Sequence, residues 1–308
     1  MLLKNDVRTL SLSQAPAVIQ LLLASLLAHR LSEIDYGTFN YLKNIAIMGY
    51  AFVSFSFERT ALNLQASYSL KTITCNIIPI RMIMFFLLAI PIVIYTLVSG
   101  VLPILVALTA ASLIPAIFDI KYSFDIKQTV HKDIYLALFR AAPLLLLIPL
   151  LLFSTSGTTI LTAHFALLLS GYSLYVFLQH GHVPGLIGKL ELKNSKLFFQ
   201  LSAFVFLGSI ASNLNIYVST LIIEARIGLS ELATYSVALT IYLGLLSVFS
   251  LIVRISVSQY LGNDQFKREF FTCMKKIMPI WFVFSLAIIM YGKTLIEFVF
   301  GTNYSQSY

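Results

Sequence analysis

The feature that most constrains this chain is a recurring uncharged apolar stretch, long enough to cross a bilayer and repeated from end to end. A helix needs roughly 20 mostly apolar residues to span the hydrocarbon layer. Such stretches occupy 10–29, 38–57, 82–99, 101–118, 135–153, 158–177, 198–223, 232–253 and 277–298. Composition agrees: 58% of residues are apolar and 11% charged, against roughly 45–50% and 25% in soluble domains. The expected class is an all-α polytopic membrane protein with about nine transmembrane helices. Polar, periodic sequence long enough to build a large soluble core is missing.

The net charge of +8 does not mark a nucleic-acid surface, because the cations fall in short connections rather than in one patch. Lys4 and Arg8, then Arg59, Lys71 and Arg81, Lys121, Lys127, Lys132 and Arg140, Lys189, Lys193 and Lys196, and the group from Arg254 to Lys276 share one side. The alternate connections hold Arg30 and Arg226. The positive-inside rule then places the amino terminus and the basic loops in the cytoplasm. The last residues, "FVFGTNYSQSY", read as the opening of a further segment, so the chain is expected to be incomplete. Cys75 and Cys273 lie near cytoplasmic ends, where a disulfide or metal site is not expected.

Two polar corners echo one another. "AHRLSEIDYGTF" follows the first span and "EARIGLSELATYSVA" the seventh, each with Arg, then Ser-Glu, then Tyr. Equivalent turns six spans apart point to two halves related by an axis along the membrane normal. Ser at a helix start with Glu in its first turn is also a common capping pattern, which supplies the chance explanation.

The paired helices carry small and polar stripes. Gln14, Ala17, Gln20, Ala24 and Ala28 share one face of the first, and Ser209, Ser212, Asn215 and Ser219 one face of the seventh. Single Ser and Ala residues there are explained by close helix packing. The amides Gln20 and Asn215, in near-equivalent positions, are candidates for a wet interior.

Lys43 and Lys293 fall within spans. A lysine at mid-bilayer costs about 2.5–3.5 kcal/mol on insertion scales, so it snorkels, pairs or faces water. With Arg30 and Arg226 they make a candidate cationic cavity for an anionic substrate. Arg59, Arg81, Arg140 and Arg254 are read as topology signals at helix ends. Glu58, Glu224 and His164 are the candidates for a coupling proton, with Asp119 and Glu297 as lesser acids; surface placement or packing is the plainer explanation for each. No triad, metal spacing or nucleotide motif is seen, so neither covalent catalysis nor a cofactor is expected.

"RLSEIDYGTFNYLKNI", "SNLNIYVSTLIIEARIGLSELATYSVALTI" and "FVFGTNY" together resemble the polysaccharide or O-antigen flippases of the multidrug/oligosaccharidyl-lipid/polysaccharide exporter superfamily. Tyr36 and Gly37 match the family's Tyr-Gly at the opening of the second helix. The resemblance implies twelve helices in two pseudo-symmetric six-helix lobes, here 1–196 and an incomplete 197–308. It implies alternating-access translocation of an undecaprenyl-diphosphate-linked oligosaccharide across the bacterial inner membrane. A polysaccharide polymerase and a chain-length regulator enter as candidate partners. Three other readings stand beside it: a drug or peptidoglycan-precursor exporter, a membrane enzyme of polysaccharide assembly, and an inactive truncated remnant.

The orientation is directly testable. Cysteine at Ser32 is expected to react with a membrane-impermeant maleimide in intact cells, and cysteine at Ser67 only after permeabilisation. Equal labelling at both positions contradicts the assignment.

Overall fold

A computed structural model of the chain describes residues 2–98, 100–127, 130–153, 156–182, 192–260 and 290–307, with isolated positions between 271 and 286. For 2–14, 17, 97, 130–131, 192–193, 212–217, 245–260 and 305–307 only the backbone is described. Among the described residues the fold is all helical, with no strand.

Helix α1 covers Leu2–Arg30 and α2 covers Glu33–Ser54. The corner between them is a built cap. Ser32 Oγ accepts from the Asp35 amide at 3.1 Å and donates to Asp35 Oδ2 at 2.8 Å, while Glu33 and Asp35 sit in the first turn. Both acids suit the positive end of the helix dipole. Helix α2 ends in two left-handed non-glycine residues, Phe55 (φ 48°) and Ser56 (φ 55°). That strained reversal leads into α3, Phe57–Leu64, and burial of Phe55 and Phe57 holds it in place.

Helix α4 runs Leu70–Val98. It begins well before the expected start at residue 82. Thr74 and Asn76 look like loop residues in sequence, yet they return their hydrogen bonds to Leu70 O (2.9 Å) and Thr72 O (2.8 Å) within the helix. Arg81 therefore lies inside the helix and is 1% exposed, not at its end.

The next two crossings are broken helices. One comprises α5 (Pro103–Ala111), α6 (Ile114–Phe118) and α7 (Lys121–Ile126). The other comprises α8 (Val130–Ala141), a 3-10 turn at Ala142–Leu146 and α9 (Leu147–Phe153). Pro115 and Pro143 stand at the breaks, where proline has no amide to give an interior turn. Then follow α10 (Gly157–His182), α11 (Leu192–Arg226) and α12 (Leu229–Tyr260). Positions 290–300 are helical and close with Gly301 (φ +97°) and a 3-10 segment, Thr302–Ser307. The expected boundary after residue 196 falls within α11. Residues 277, 280–281, 283–285 and 287–289 of the expected ninth span, and Cys273, lie outside the described residues.

Among the described residues, four stretches are long and apolar enough to cross a membrane: Leu70–Thr96, Pro103–Ile126, Lys132–Phe153 and Gly157–His182. On α4 the outward face carries Phe86, Leu87, Ile90, Ile94 and Val98, all exposed. Lipid chains cover such a face at no cost to either partner.

Two apolar cores form. The first gathers Leu27, Phe39, Leu42, Phe165, Val237 and Phe300; the second gathers Phe55, Phe57, Ile73, Ile77, Tyr175 and Phe198. Helices α2 and α10 contribute to both, with Tyr50 and Tyr172 at intermediate positions.

The two echoed corners lie against each other. Ser230 Oγ donates to Glu33 Oε2 at 2.7 Å, and farther along α2 Asn44 Nδ2 donates to Thr220 Oγ1 at 3.2 Å. A Cβ on Gly37 would sit 1.9 Å from the Leu229 carbonyl oxygen, so only glycine permits this approach.

Replacing Gly37 with Ala is therefore expected to destabilise the protein by about 1–3 kcal/mol, the usual cost of overpacking. Gly208→Ala, which meets nothing within 4 Å, is expected to be near neutral. Thermal unfolding in detergent checks the pair, and equal effects contradict the close approach.

Candidate functional site

A cavity of ≈230 Å³ opens among α1, α2, α8 and α10. Helix α1 supplies Gln20 and Ala24, and α2 supplies Phe39, Lys43, Ile47 and Tyr50. These α2 positions follow steps of three or four, so one face of the helix forms the wall. Ser112 comes from the break between α5 and α6, Arg140 from the last turn of α8, and His164 and Tyr172 from α10.

Two cations line this space. Lys43 Nζ stands 5.5 Å from the Phe39 ring centroid, and His164 meets the same ring edge-on at 4.8 Å. The Arg140 guanidinium carbon lies 4.9 Å from the Tyr172 ring centroid, and Nη1 donates to the Tyr172 hydroxyl at 2.9 Å. Arg140 Nε and His164 Nδ1 are buried and have no partner among the described residues. Among the described residues neither Lys43 nor Arg140 has a carboxylate within ion-pair distance; the ion pair there is Lys121 with Glu58, at 3.7 Å.

The nearby acids are committed to other donors. Asp119, 2% exposed, accepts from the Tyr50 hydroxyl at 2.5 Å and from the Lys121 amide at 2.9 Å. Its own carbonyl accepts from Arg81, whose guanidinium lies 5.9 Å from the Phe57 and Tyr122 rings. Asp133 accepts from the Tyr175 hydroxyl at 2.6 Å and the Gln179 amide at 3.4 Å. Tyrosine rings relay between the two groups of charges: Tyr50 and Tyr172 are 5.7 Å apart. A charge held away from water is costly unless paired. Two cations thus face one cavity, while the nearby acids accept hydrogen bonds from other donors.

Of the residues singled out from sequence, Gln20, Lys43 and His164 come together in this cavity. Arg30 and Arg226 end α1 and α11 and are exposed, as is Lys293. The Asn215 side chain lies outside the described residues, as do those of Gln14, Ala17, Ser212 and Arg254. Ser209 faces α3, where Ser56 Oγ donates to its hydroxyl at 3.2 Å. Glu58 is half-buried in its pair with Lys121, and a pair so placed contributes about 0–1 kcal/mol. Glu224 accepts from the Tyr95 hydroxyl at 3.2 Å.

Sequence reasoning missed Arg140, Tyr50 and Tyr172 as site residues. Arg140 reads as a topology cation, but it lies inside the apolar stretch 135–153, and that depth was the available signal. The tyrosines carry no signal; they are ordinary in a membrane helix until their partners are known.

Neither a family model, nor a curated protein, nor a solved structure matches this chain.

Tyr50→Phe removes the hydroxyl donor from a buried carboxylate. The expected cost is about 1–3 kcal/mol of stability, the penalty for an unsatisfied buried polar group. Thermal unfolding of the variant in detergent measures it, and an unchanged midpoint contradicts the network.

Proposed function

We propose that this chain is a flippase of the bacterial inner membrane, moving an undecaprenyl-diphosphate-linked oligosaccharide from the cytoplasmic to the periplasmic leaflet. The observation that carries the reading is the cavity itself. Three membrane-length stretches, 103–126, 132–153 and 157–182, supply part of its wall, and it presents Lys43 and Arg140 without a carboxylate partner among the described residues. A phosphate-bearing or otherwise anionic glycolipid supplies the missing charge, and guanidinium grips such an oxyanion through parallel hydrogen bonds. Gln20, Ser112 and the tyrosine hydroxyls offer partners for sugar hydroxyls.

The finer architecture belongs to the same proposal. Nine spans of an expected twelve form two lobes, 1–196 and 197–308, with the amino terminus in the cytoplasm and the echoed corners at the periplasmic end. Transport then requires those corners to part, since Ser230 and Glu33 join them and Gly37 seats against Leu229. Arg30 and Arg226 flank that end, where they meet an anion leaving the cavity. Asn215 and Lys293 remain candidates on the second lobe. A polymerase and a chain-length regulator consume the product. An exporter of cationic drugs is disfavoured by the sign of the charges lining the cavity.

Complementation tests the reading. In a strain lacking its own flippase, the full reading frame is expected to restore surface polysaccharide. Lys43→Ala and Gln20→Ala are expected to reduce it at unchanged protein level, the lysine variant by about tenfold, as for loss of a charge-assisted hydrogen bond. Normal polysaccharide in both variants removes the cavity from the mechanism.

A further inference from the structure

The lining of the cavity distinguishes among anions. Its ≈230 Å³ falls below the roughly 300–1,000 Å³ of pockets for drug-sized ligands, so it holds one ring and its substituents, not an oligosaccharide. The walls offer more than cations. Phe39, Tyr50, Tyr172 and His164 present rings. The Tyr50 hydroxyl has spent its proton on Asp119, so that oxygen has only lone pairs left to offer. Gln20 lines the same space with an amide that can donate or accept.

A diphosphate meets this lining poorly. Its oxygens accept and do not donate, so they would oppose the Tyr50 oxygen. A sugar ring meets it well. Its C–H face suits the aromatic rings, and its hydroxyls can donate to both acceptors. The two cations then call for one anionic substituent on that ring. Arg140 lines the cavity and has used Nη1 on Tyr172; a guanidinium grips a planar carboxylate through its remaining N–H groups.

We infer that this cavity is a subsite for a single acidic sugar, a pyranose bearing a carboxylate, with the carboxylate held by Lys43 and Arg140. The inference rests on the flippase reading and narrows it: the transported oligosaccharide contains such a residue. The lipid diphosphate is bound elsewhere.

The test uses the full chain in lipid nanodiscs and three probes: methyl glucuronide, methyl glucoside and inorganic pyrophosphate. Binding is followed by saturation-transfer NMR and titration. The glucuronide is expected to bind at least about tenfold more tightly than the glucoside, the difference one charge-assisted pair supplies. Arg140→Gln and Lys43→Gln are each expected to abolish that preference and leave glucoside binding in place. Retained glucoside binding also shows that a variant is folded, and either variant alone suffices if the other is not recovered. Equal affinity for the two sugars, or a preference that survives both substitutions, overturns the inference. Tighter binding of pyrophosphate, competitive with the glucuronide, also overturns it by assigning the cations to phosphate, yet leaves the flippase reading intact. Failure of all three probes to bind overturns it as well, and complementation then decides the flippase reading by itself.

Discussion

Cations that lie inside a helical bundle must be offset by something, and this constraint organises the rest of the molecule. Lys43 and Arg140 face one cavity, while two buried acids are held by other donors: Asp119 by Tyr50 and the Lys121 amide, Asp133 by Tyr175 and Gln179. The tyrosines do two jobs in this arrangement. They satisfy the carboxylates, and their rings lie alongside the guanidinium, as Tyr172 does under Arg140 at 4.9 Å. Cation–π contact eases the desolvation of arginine without cancelling its charge. The cavity is left with two cations that have no carboxylate partner among the described residues.

The fold keeps that charge in place through its two apolar cores. Phe39 and Phe165 anchor α2 and α10 in the first core, and Phe55 and Tyr175 anchor the same helices in the second. Tyr50 and Tyr172 are thus fixed between anchors on rigid elements, which holds a polar site more firmly than a loop does. The breaks in α5–α7 and α8–α9 serve the same site. Ser112 reaches the cavity from one break, and Asp119 stands at the next, free to accept from Tyr50 because the chain there is not helical.

Much of this was legible in the sequence, and the failures have physical causes. Apolar stretches located the helices because burial in lipid demands both apolarity and length. Ser32 announced its cap through the residue type and the acids beside it. The echo of Arg, Ser-Glu and Tyr pointed to two corners that in fact touch through Glu33 and Ser230. By contrast, the start of α4 was hidden by Thr74 and Asn76, whose polarity is absorbed by the helix's own carbonyls. Gln20, Lys43 and His164 stood out as polar groups within apolar stretches, and the three line one cavity. Arg140 was lost because an arginine near a helix end serves topology equally well. Arg81 was misread for the same reason, since its burial depends on Phe57, Tyr122 and the Asp119 carbonyl from other helices.

The central claim is that the cavity is wet and positively charged. It is tested most directly at Ile47, which lines the cavity, by placing a single cysteine there in a chain whose Cys75 and Cys273 are replaced. Reaction rates are then compared for anionic and cationic methanethiosulfonate reagents of similar size. The account predicts faster reaction with the anionic reagent, and loss of that preference when Lys43 and Arg140 are both neutralised. Equal rates, a preference for the cationic reagent, or no reaction with either contradicts it.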